Sequence, residues 1–489
     1  MDEYQHWIDG AATAGSGGLM ETFDPLTAKA WALIAKGDQA DVDLAVQSAH
    51  RAFAGWRAVG PSKRAEVLWR LGDLIAEHAD ELAALEARDA GKVVREVRGQ
   101  MLSLRAWYRY YASLAYQAEG RSIPQDRASL TVFTERIPYG VIGVIPAFNS
   151  PMLLGGMGLA PGLAAGNTVV VKPPEVNSLS LLRLGDLARE AGLPDGCLNI
   201  VTGTGQQAGD ALIAHPLVRK VWFTGGPDSA RLVAARAAQS LKPLVLELGG
   251  KSANIFFPDV RVDDVLNGVI AGIFAAAGQT CVAGSRLLVH ESIADELVAK
   301  VAARARTVRL GDPTDEQTEM GPLSQEKILN GVTDRVRQAM GEGAVVVAGG
   351  DEAPRPDRGW FYPPTVLDGV RNEMSVAQHE LFGPVLSVIR FTDEDEAIAI
   401  ANDSPFALAA GVWTRDLGRA HRVARALDTG TVWINMYRAL QFATPFGGNK
   451  LSGYGRENGL DGFAEFTQPK GIWVESSDEP VGDPFILRA

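Results

Sequence analysis

The chain has 489 residues, 46% hydrophobic and 22% charged, proportions that exclude a largely disordered protein and predict two or three domains, each with its own core. Forty-seven Lys and Arg against 59 Asp and Glu give a formal net charge of −12, so no basic surface for nucleic acid or anionic membrane dominates. Two cysteines, Cys197 and Cys281, are too few for a disulfide framework or a cysteine-rich zinc site.

In chain order, Met1-Asp2-Glu3-Tyr4 lacks the basic start and apolar run of a signal peptide, which with the scarce cysteines predicts a cytoplasmic protein. Asp41 is read as the cap of a helix over 42–56, and Leu68, Leu71, Leu74 and Ile75 mark one face of a second helix starting near Pro61-Ser62. A third helix, 101–116, carries Trp107, Tyr108, Tyr110 and Tyr111 as core aromatics. Residues 130–137 alternate like a strand. From Gly140 to Val171 no residue is charged, a length that could span a bilayer. Pro146, Pro151, Pro161, Asn149, Asn167 and several glycines interrupt it, so it is predicted to be buried core plus a site loop, with no membrane contact.

Short apolar runs then alternate with helical periods. Strands are expected at 168–171, 198–201, 221–224 and 244–248, with helices at 181–191, 209–215 and 229–240. A second series has strands at 253–257, 286–289, 385–391, 411–413 and 432–435 and helices at 293–308 and 394–401. The fold class is α/β, two doubly wound domains side by side with a boundary near Gly249-Gly250. The runs 130–137 and 472–475 fit neither and are expected to be exposed edge strands for self-association into a homodimer or homotetramer. The tail beyond Ser477, acidic and then apolar at Pro484-Phe485-Ile486-Leu487, either docks on a neighbouring subunit or frays.

Gly203-Thr204-Gly205-Gln206-Gln207-Ala208-Gly209 follows a strand and opens a helix, close to a dinucleotide fingerprint with one residue too many before the last glycine. A plain tight turn is the alternative. Gly249-Gly250-Lys251-Ser252 ends like a P-loop, but Val245 stands where the first glycine is required. His379-Glu380 lacks a second histidine four residues after the first, and no metal is predicted.

Cys281 sits among small and polar residues in Gly278-Gln279-Thr280-Cys281-Val282, where it is either an inert buried thiol or a nucleophile. Glu247, between Leu246 and Leu248, is a carboxylate in apolar surroundings, whose charged form is disfavoured in the way that suits a general base near neutral pH. Asn149, in the uncharged segment, is an expensive carboxamide to place there without a partner, and its N–H groups can hold an oxyanion.

Together with these three, the blocks Pro146-Ala147-Phe148-Asn149-Ser150-Pro151, Lys172-Pro173-Pro174-Glu175, Phe223-Thr224-Gly225-Gly226, Leu246-Glu247-Leu248-Gly249-Gly250-Lys251, Gly278-Gln279-Thr280-Cys281, Glu380-Leu381-Phe382-Gly383-Pro384 and Pro445-Phe446-Gly447-Gly448-Asn449-Lys450-Leu451-Ser452-Gly453 occur in one order. In that order, and over nearly the whole chain, the sequence resembles the NAD(P)-dependent aldehyde dehydrogenases. The resemblance implies a Rossmann-like cofactor domain over 1–125 and 141–249, a catalytic domain over 250–445, and oligomerisation strands and tail over 126–140 and 466–489. It implies Cys281 as nucleophile, Asn149 and the Cys281 N–H as oxyanion donors, and Glu247 as the base that activates water against a thioester. The Glu247 side chain also favours hydrolysis over the alternative of acyl transfer to coenzyme A. A catalytically silent binding protein of the same fold is the further alternative.

For the cofactor, the resemblance implies Lys172 and Glu175 at the adenosine ribose, favouring NAD over NADP because a carboxylate repels a 2′-phosphate. It places Ile145, Phe148, Gly205, Phe223, Gly226 and Leu248 along the dinucleotide, and Glu380 and Phe382 at the nicotinamide ribose. Gly226 stands where serine is common, Ala230 where a glycine is usual, and Ala147-Phe148 where proline then tryptophan is frequent. Ser150, Leu153, Met157, Thr280, Val282, Arg438, Leu440 and Phe446 are implied to line the aldehyde pocket. Ser150 and Met157 replace aromatics there, which predicts a wider tunnel for a medium or bulky aldehyde. Arg438 is read either as a partner for an oxygen of the substrate or as a structural arginine at the rim.

Overall fold

Largely apolar runs rich in Val, Ile and Leu satisfy their backbone and side chains together in a sheet covered on both faces. In the computed structural model, which describes residues 1–485, Val141–Ile145, Thr168–Val171, Leu198–Ile200, Val218–Thr224 and Leu244–Glu247 are such strands, nearly all buried and mutually parallel. Their sheet has eight strands. In spatial order they are Gly453–Tyr454, Leu244–Glu247, Val218–Thr224, Val141–Ile145, Thr168–Val171, Leu198–Ile200, His6–Ile8 and Ala11–Thr13. The outermost pairings at both ends are antiparallel. The chain steps outward in one direction from Val141–Ile145 and then returns on its other side with Val218–Thr224. Loops leaving the carboxyl ends of these two strands therefore diverge and open a crevice.

The second sheet has seven strands, Val345–Ala348, Thr365–Asp368, Val385–Phe391, Arg286–His290, Ala253–Phe256, Ala409–Trp413 and Thr431–Ile434 in spatial order. All are parallel except the edge strand Val345–Ala348. Glu247 ends the last parallel strand of the first sheet, whereas Cys281 lies just before Arg286–His290 of the second. The junction of the two sheets thus holds both.

Several elements differ from the reading of the sequence. The first helix runs Gln39–Ala58 and is capped by Asp38, not Asp41; Asp41 is the third residue of a capping box and returns its carboxylate to the Asp38 N–H. The fingerprint-like segment opens as a π-helical turn, Gly205–Gly209, that flows into the helix Asp210–Ala214. The extra residue is absorbed by the wider turn, so the helix starts earlier than 209. The uncharged segment folds as Val141–Ile145, the helix Pro151–Ala164 and Thr168–Val171, and among the described residues no helix is long and apolar enough to cross a membrane. The runs at 130–137 and 472–475 are parts of longer strands, Leu130–Pro138 and Thr467–Glu475, paired antiparallel along their length with Ser122–Ile123 on the far side of the first. Trp473 and Val474 are exposed there. Phe485 is exposed, and Ile486-Leu487 lies outside the described residues.

Candidate active site

The turn that carries Cys281 is built from backbone that most residues avoid. Ala276 and Ala277 have φ of 53° and 52°, and Gly278 has φ of 70°, three consecutive left-handed residues whose cost has to be met by the surrounding packing. A Cβ at Gly278 would stand 2.2 Å from the Gly383 carbonyl oxygen, so only glycine fits against the Gly383-Pro384 segment. Beyond it the Gln279 side chain accepts from both N–H and Oγ of Ser324 at 3.0 Å. The Gln279 carbonyl accepts from Asn149 Nδ2 at 3.1 Å. The Tyr437 hydroxyl donates to the Val282 carbonyl at 3.0 Å. A Cβ on Gly250 would meet the Cys281 carbonyl oxygen at 2.4 Å, which explains the glycine there as a close approach of two backbones.

Cys281 packs on the apolar cluster of Val282, Leu408, Trp433 and Phe446, as Tyr437 does, yet keeps partial exposure. Burial pushes its thiol up to about 12, and the carboxylates of Glu380, Glu457 and Glu247 add to the shift. The thiol is therefore held protonated. Cys197, by contrast, is fully enclosed in core.

Glu247 is 4% exposed, and neither carboxylate oxygen has a hydrogen-bond partner. Burial raises its pKa well above the usual glutamate range; Glu457 adds to this and Arg456 partly offsets it. A Cβ on Gly447 would come within 2.7 Å of Glu247 Oε1, so the missing side chain leaves the carboxylate its place. Glu457 is held by paired backbone bonds with Phe446 at 2.7 and 2.8 Å, and burial lifts its own pKa to about 8. The sequence reading missed Glu457. Its only signal is a carboxylate in Gly455-Arg456-Glu457-Asn458-Gly459, immediately after the last block of the resemblance.

On the crevice side, Glu175 is exposed and its Oε1 accepts from the Gly205 N–H at 2.6 Å, while Lys172 is buried, with its pKa lowered to about 8 by desolvation. Gly226 precedes the helix Pro227–Ala238 and offers no side-chain cap, and it has open space on its Cβ side. Ile145, Phe223 and Leu248 pack in one apolar cluster beneath. Glu380 Oε1 accepts from the Gly250 N–H at 3.1 Å; burial lifts its carboxyl to about 7 against the pull of that bond and of Lys251. Phe148 and Phe382 meet edge to face, with ring centroids 5.4 Å apart.

Of the residues implied for the aldehyde pocket, Val282 and Phe446 pack around Cys281, and Thr280 adjoins it. Ser150 is buried and donates to the Asn149 carbonyl at 2.6 Å, and Leu153 is half-buried on the next helix. Met157 is enclosed in the helical core at 1% exposure, and Leu440 is exposed; neither belongs to the cluster around Cys281. Arg438 has a protein partner on each amino group, the Ala271 carbonyl at 3.1 Å and Glu96 Oε1 at 3.4 Å.

The sequence profile of the aldehyde dehydrogenase family matches residues 12–472. The chain is 42% identical over 492 residues to a (Z)-2-((N-methylformamido)methylene)-5-hydroxybutyrolactone dehydrogenase of Acinetobacter baylyi, covering 100% of both. It is 40% identical to a hydroxyisobutyraldehyde dehydrogenase of Mycolicibacterium austroafricanum, over 96% of this chain and 93% of that one. The fold superposes with a TM-score of 0.95 on an NAD+ complex of the aldehyde dehydrogenase from Bacillus cereus, at 38% identity and 97% coverage of both chains. The chain belongs to the aldehyde dehydrogenase family, oxidoreductases that act on the aldehyde group.

Proposed function

We propose that the protein oxidises its aldehyde to a carboxylic acid at Cys281, with NAD as oxidant and Glu247 and Asn149 as partners. The observation that carries this reading is convergence. Asn149 from the first sheet is hydrogen-bonded to the Cys281 turn of the second, while the backbone next to Glu247 packs on the Cys281 carbonyl.

The Cys281 thiol loses its proton to solvent as Sγ bonds the carbonyl carbon. The oxygen takes up the electron pair and is held by Asn149 Nδ2 and the Cys281 N–H. NAD, when bound, supplies the hydride acceptor that turns this thiohemiacetal into a thioester. Glu247 takes a proton from water as the water oxygen bonds the acyl carbon; the carbon–sulfur bond breaks, Sγ takes that proton back from Glu247, and the carboxylic acid leaves. Two carboxyls crowded in a dry site cannot both ionise, so Glu247 and Glu457 keep one proton between them.

The residues present fit a dinucleotide. Glu175 is already fixed by the Gly205 N–H and has a second oxygen for a ribose hydroxyl, and the uncapped helix start at Gly226 leaves N–H groups for phosphate. Repulsion between Glu175 and a 2′-phosphate favours NAD over NADP. The cofactor unit comprises 1–125 and 141–249, the catalytic unit 250–445, and the strands and tail within 126–140 and 466–489 serve self-association, a role supported by the exposed Trp473 and Val474.

The test is NADH formation across a panel of aliphatic, aromatic and carboxylated aldehydes, together with mass spectrometry of Glu247→Gln after one turnover. An acyl mass on the Cys281 peptide is expected. Undiminished NADH formation by Cys281→Ala would sink the covalent mechanism.

A further inference from the structure

Next to Asn149, the Ser150 hydroxyl is held by a buried ammonium. Lys92 Nζ donates to Ser150 Oγ at 2.5 Å and to Gln100 Oε1 at 3.0 Å, and Lys92 is 7% exposed. An ammonium has three donors, and among the described residues the third finds no acceptor and no carboxylate pairs with the group.

The two basic groups here are unevenly paired. Lys92 is pulled toward its neutral form by burial; Glu96 and Glu86 oppose this and Arg438 adds to it. Glu86 is itself buried and pushed toward neutrality, with Oε1 occupied by the Met152 N–H and the Ser180 hydroxyl. Glu96 is already engaged by Arg438, whose side chain is only 19% exposed. Among the described residues Glu96 is thus the one carboxylate bonded to either basic group, and it bonds Arg438 alone, so the buried Lys92 has no ion-pair partner, an arrangement costly to maintain for a charged group unless something else supplies negative charge. Both basic groups sit beside residues of the proposed site: Lys92 bonds Ser150, which follows Asn149, and Arg438 follows Tyr437, which packs on the same apolar cluster as Cys281.

The geometry points to a carboxylate-recognition subsite formed by Lys92, Ser150 and Arg438, so that the preferred substrates are short aldehydes carrying a carboxylate a few bonds from the carbonyl. This builds on Cys281 as the point of attack. The carboxylate takes the third Lys92 donor and unused Arg438 donors, and the bidentate fork of the guanidinium suits it. A neutral aldehyde of the same length offers neither group a charged partner.

The experiment compares kcat/KM for succinic and glutaric semialdehydes with that for butanal and pentanal, in the wild type, Lys92→Met and Arg438→Gln. The wild type is expected to prefer the charged member of each pair by about tenfold or more, and each variant to lower that preference by about tenfold, mainly through KM, the size of one charge-assisted hydrogen bond. The partly exposed Arg438 keeps the test open if Lys92→Met does not fold, which thermal melting reports. Inhibition by glutarate in the presence of NAD should weaken in parallel. A charged-to-neutral preference that stays the same in wild type and variants, with NADH still formed from butanal, overturns the subsite and leaves the Cys281 chemistry standing. No NADH from any aldehyde overturns both.

Discussion

The turn around Cys281 and the crevice around Glu175 use the same residue types in opposite ways. Near Cys281, three consecutive residues are left-handed and Glu247 is buried with both oxygens unpartnered. Near Glu175, the carboxylate is exposed and bonded to the Gly205 N–H, and the Thr204 hydroxyl accepts from the Gln207 N–H at 3.2 Å to cap the turn that follows. On the proposed function, strain and an unpartnered carboxyl gather where bonds are made and broken, because a base must be free to accept a proton. Groups that only recognise a ligand can be paired beforehand. Substitutions in the first region should therefore change rate constants, and those in the second should change affinities.

The largest effect expected is that of Cys281→Ala, a fall in NADH formation of about 10⁴-fold or more. Fluorescence titration with NAD shows whether the two regions are separable; an equal collapse of affinity would merge them. Next is Glu247→Gln, which keeps the shape but cannot accept a proton, for a loss of roughly 10²- to 10⁴-fold in kcat with acyl-enzyme accumulating. Asn149→Ala removes one oxyanion donor and should cost roughly 10²- to 10³-fold in kcat. On the other side, Glu175→Gln should raise the KM for NAD by about tenfold and narrow the preference over NADP. A change in kcat instead would break the contrast.

How much of this was legible in the sequence follows the same division. Most of the parallel strands from Thr168–Val171 onward could be read because a two-sided buried strand has to be a continuous apolar run, and so could helices such as Leu179–Glu190 and Glu291–Arg306, whereas Val141–Ile145, Thr365–Asp368 and the helices Val262–Ile273, Glu326–Gly341 and Leu417–Ala426 were passed over. The N-terminal strands were not. His6–Ile8 is buried but only three residues long and joins the first sheet by a single antiparallel bridge to Leu198–Ile200, and Leu19–Asp24 is mostly exposed, so neither is a run long and apolar enough to read as a strand. Cys281, Glu247 and Asn149 stood out as polar groups in apolar or small-residue surroundings. Lys92 and Glu457 did not, for each looks like an ordinary surface charge, and only the return of Gly453–Tyr454 to the first sheet and the packing of the Val94–Leu114 helix on Pro151–Ala164 enclose them. Burial created by distant segments is what local sequence cannot express.

The smallest effect tests the turn region from the side of stability. Glu457 has a pKa of about 8 in the folded protein against the usual glutamate value of 4.5. A carboxyl whose pKa is raised by folding stabilises fully below 4.5, and that contribution is lost as pH rises through the folded value, since the native state then has to give up a proton it binds more tightly than the unfolded chain does. Glu457→Gln removes the titration while keeping the shape. Its Tm should fall less than that of the wild type between pH 6 and pH 8.5, leaving the variant more stable by about 1–2 °C at the upper end. Glu247 loses a like charge at the same time, so its pKa should drop and the acid limb of the kcat profile should move to lower pH. If the melting curves respond as expected but the acid limb stays in place, the two carboxyls do not share a proton and Glu247 works alone.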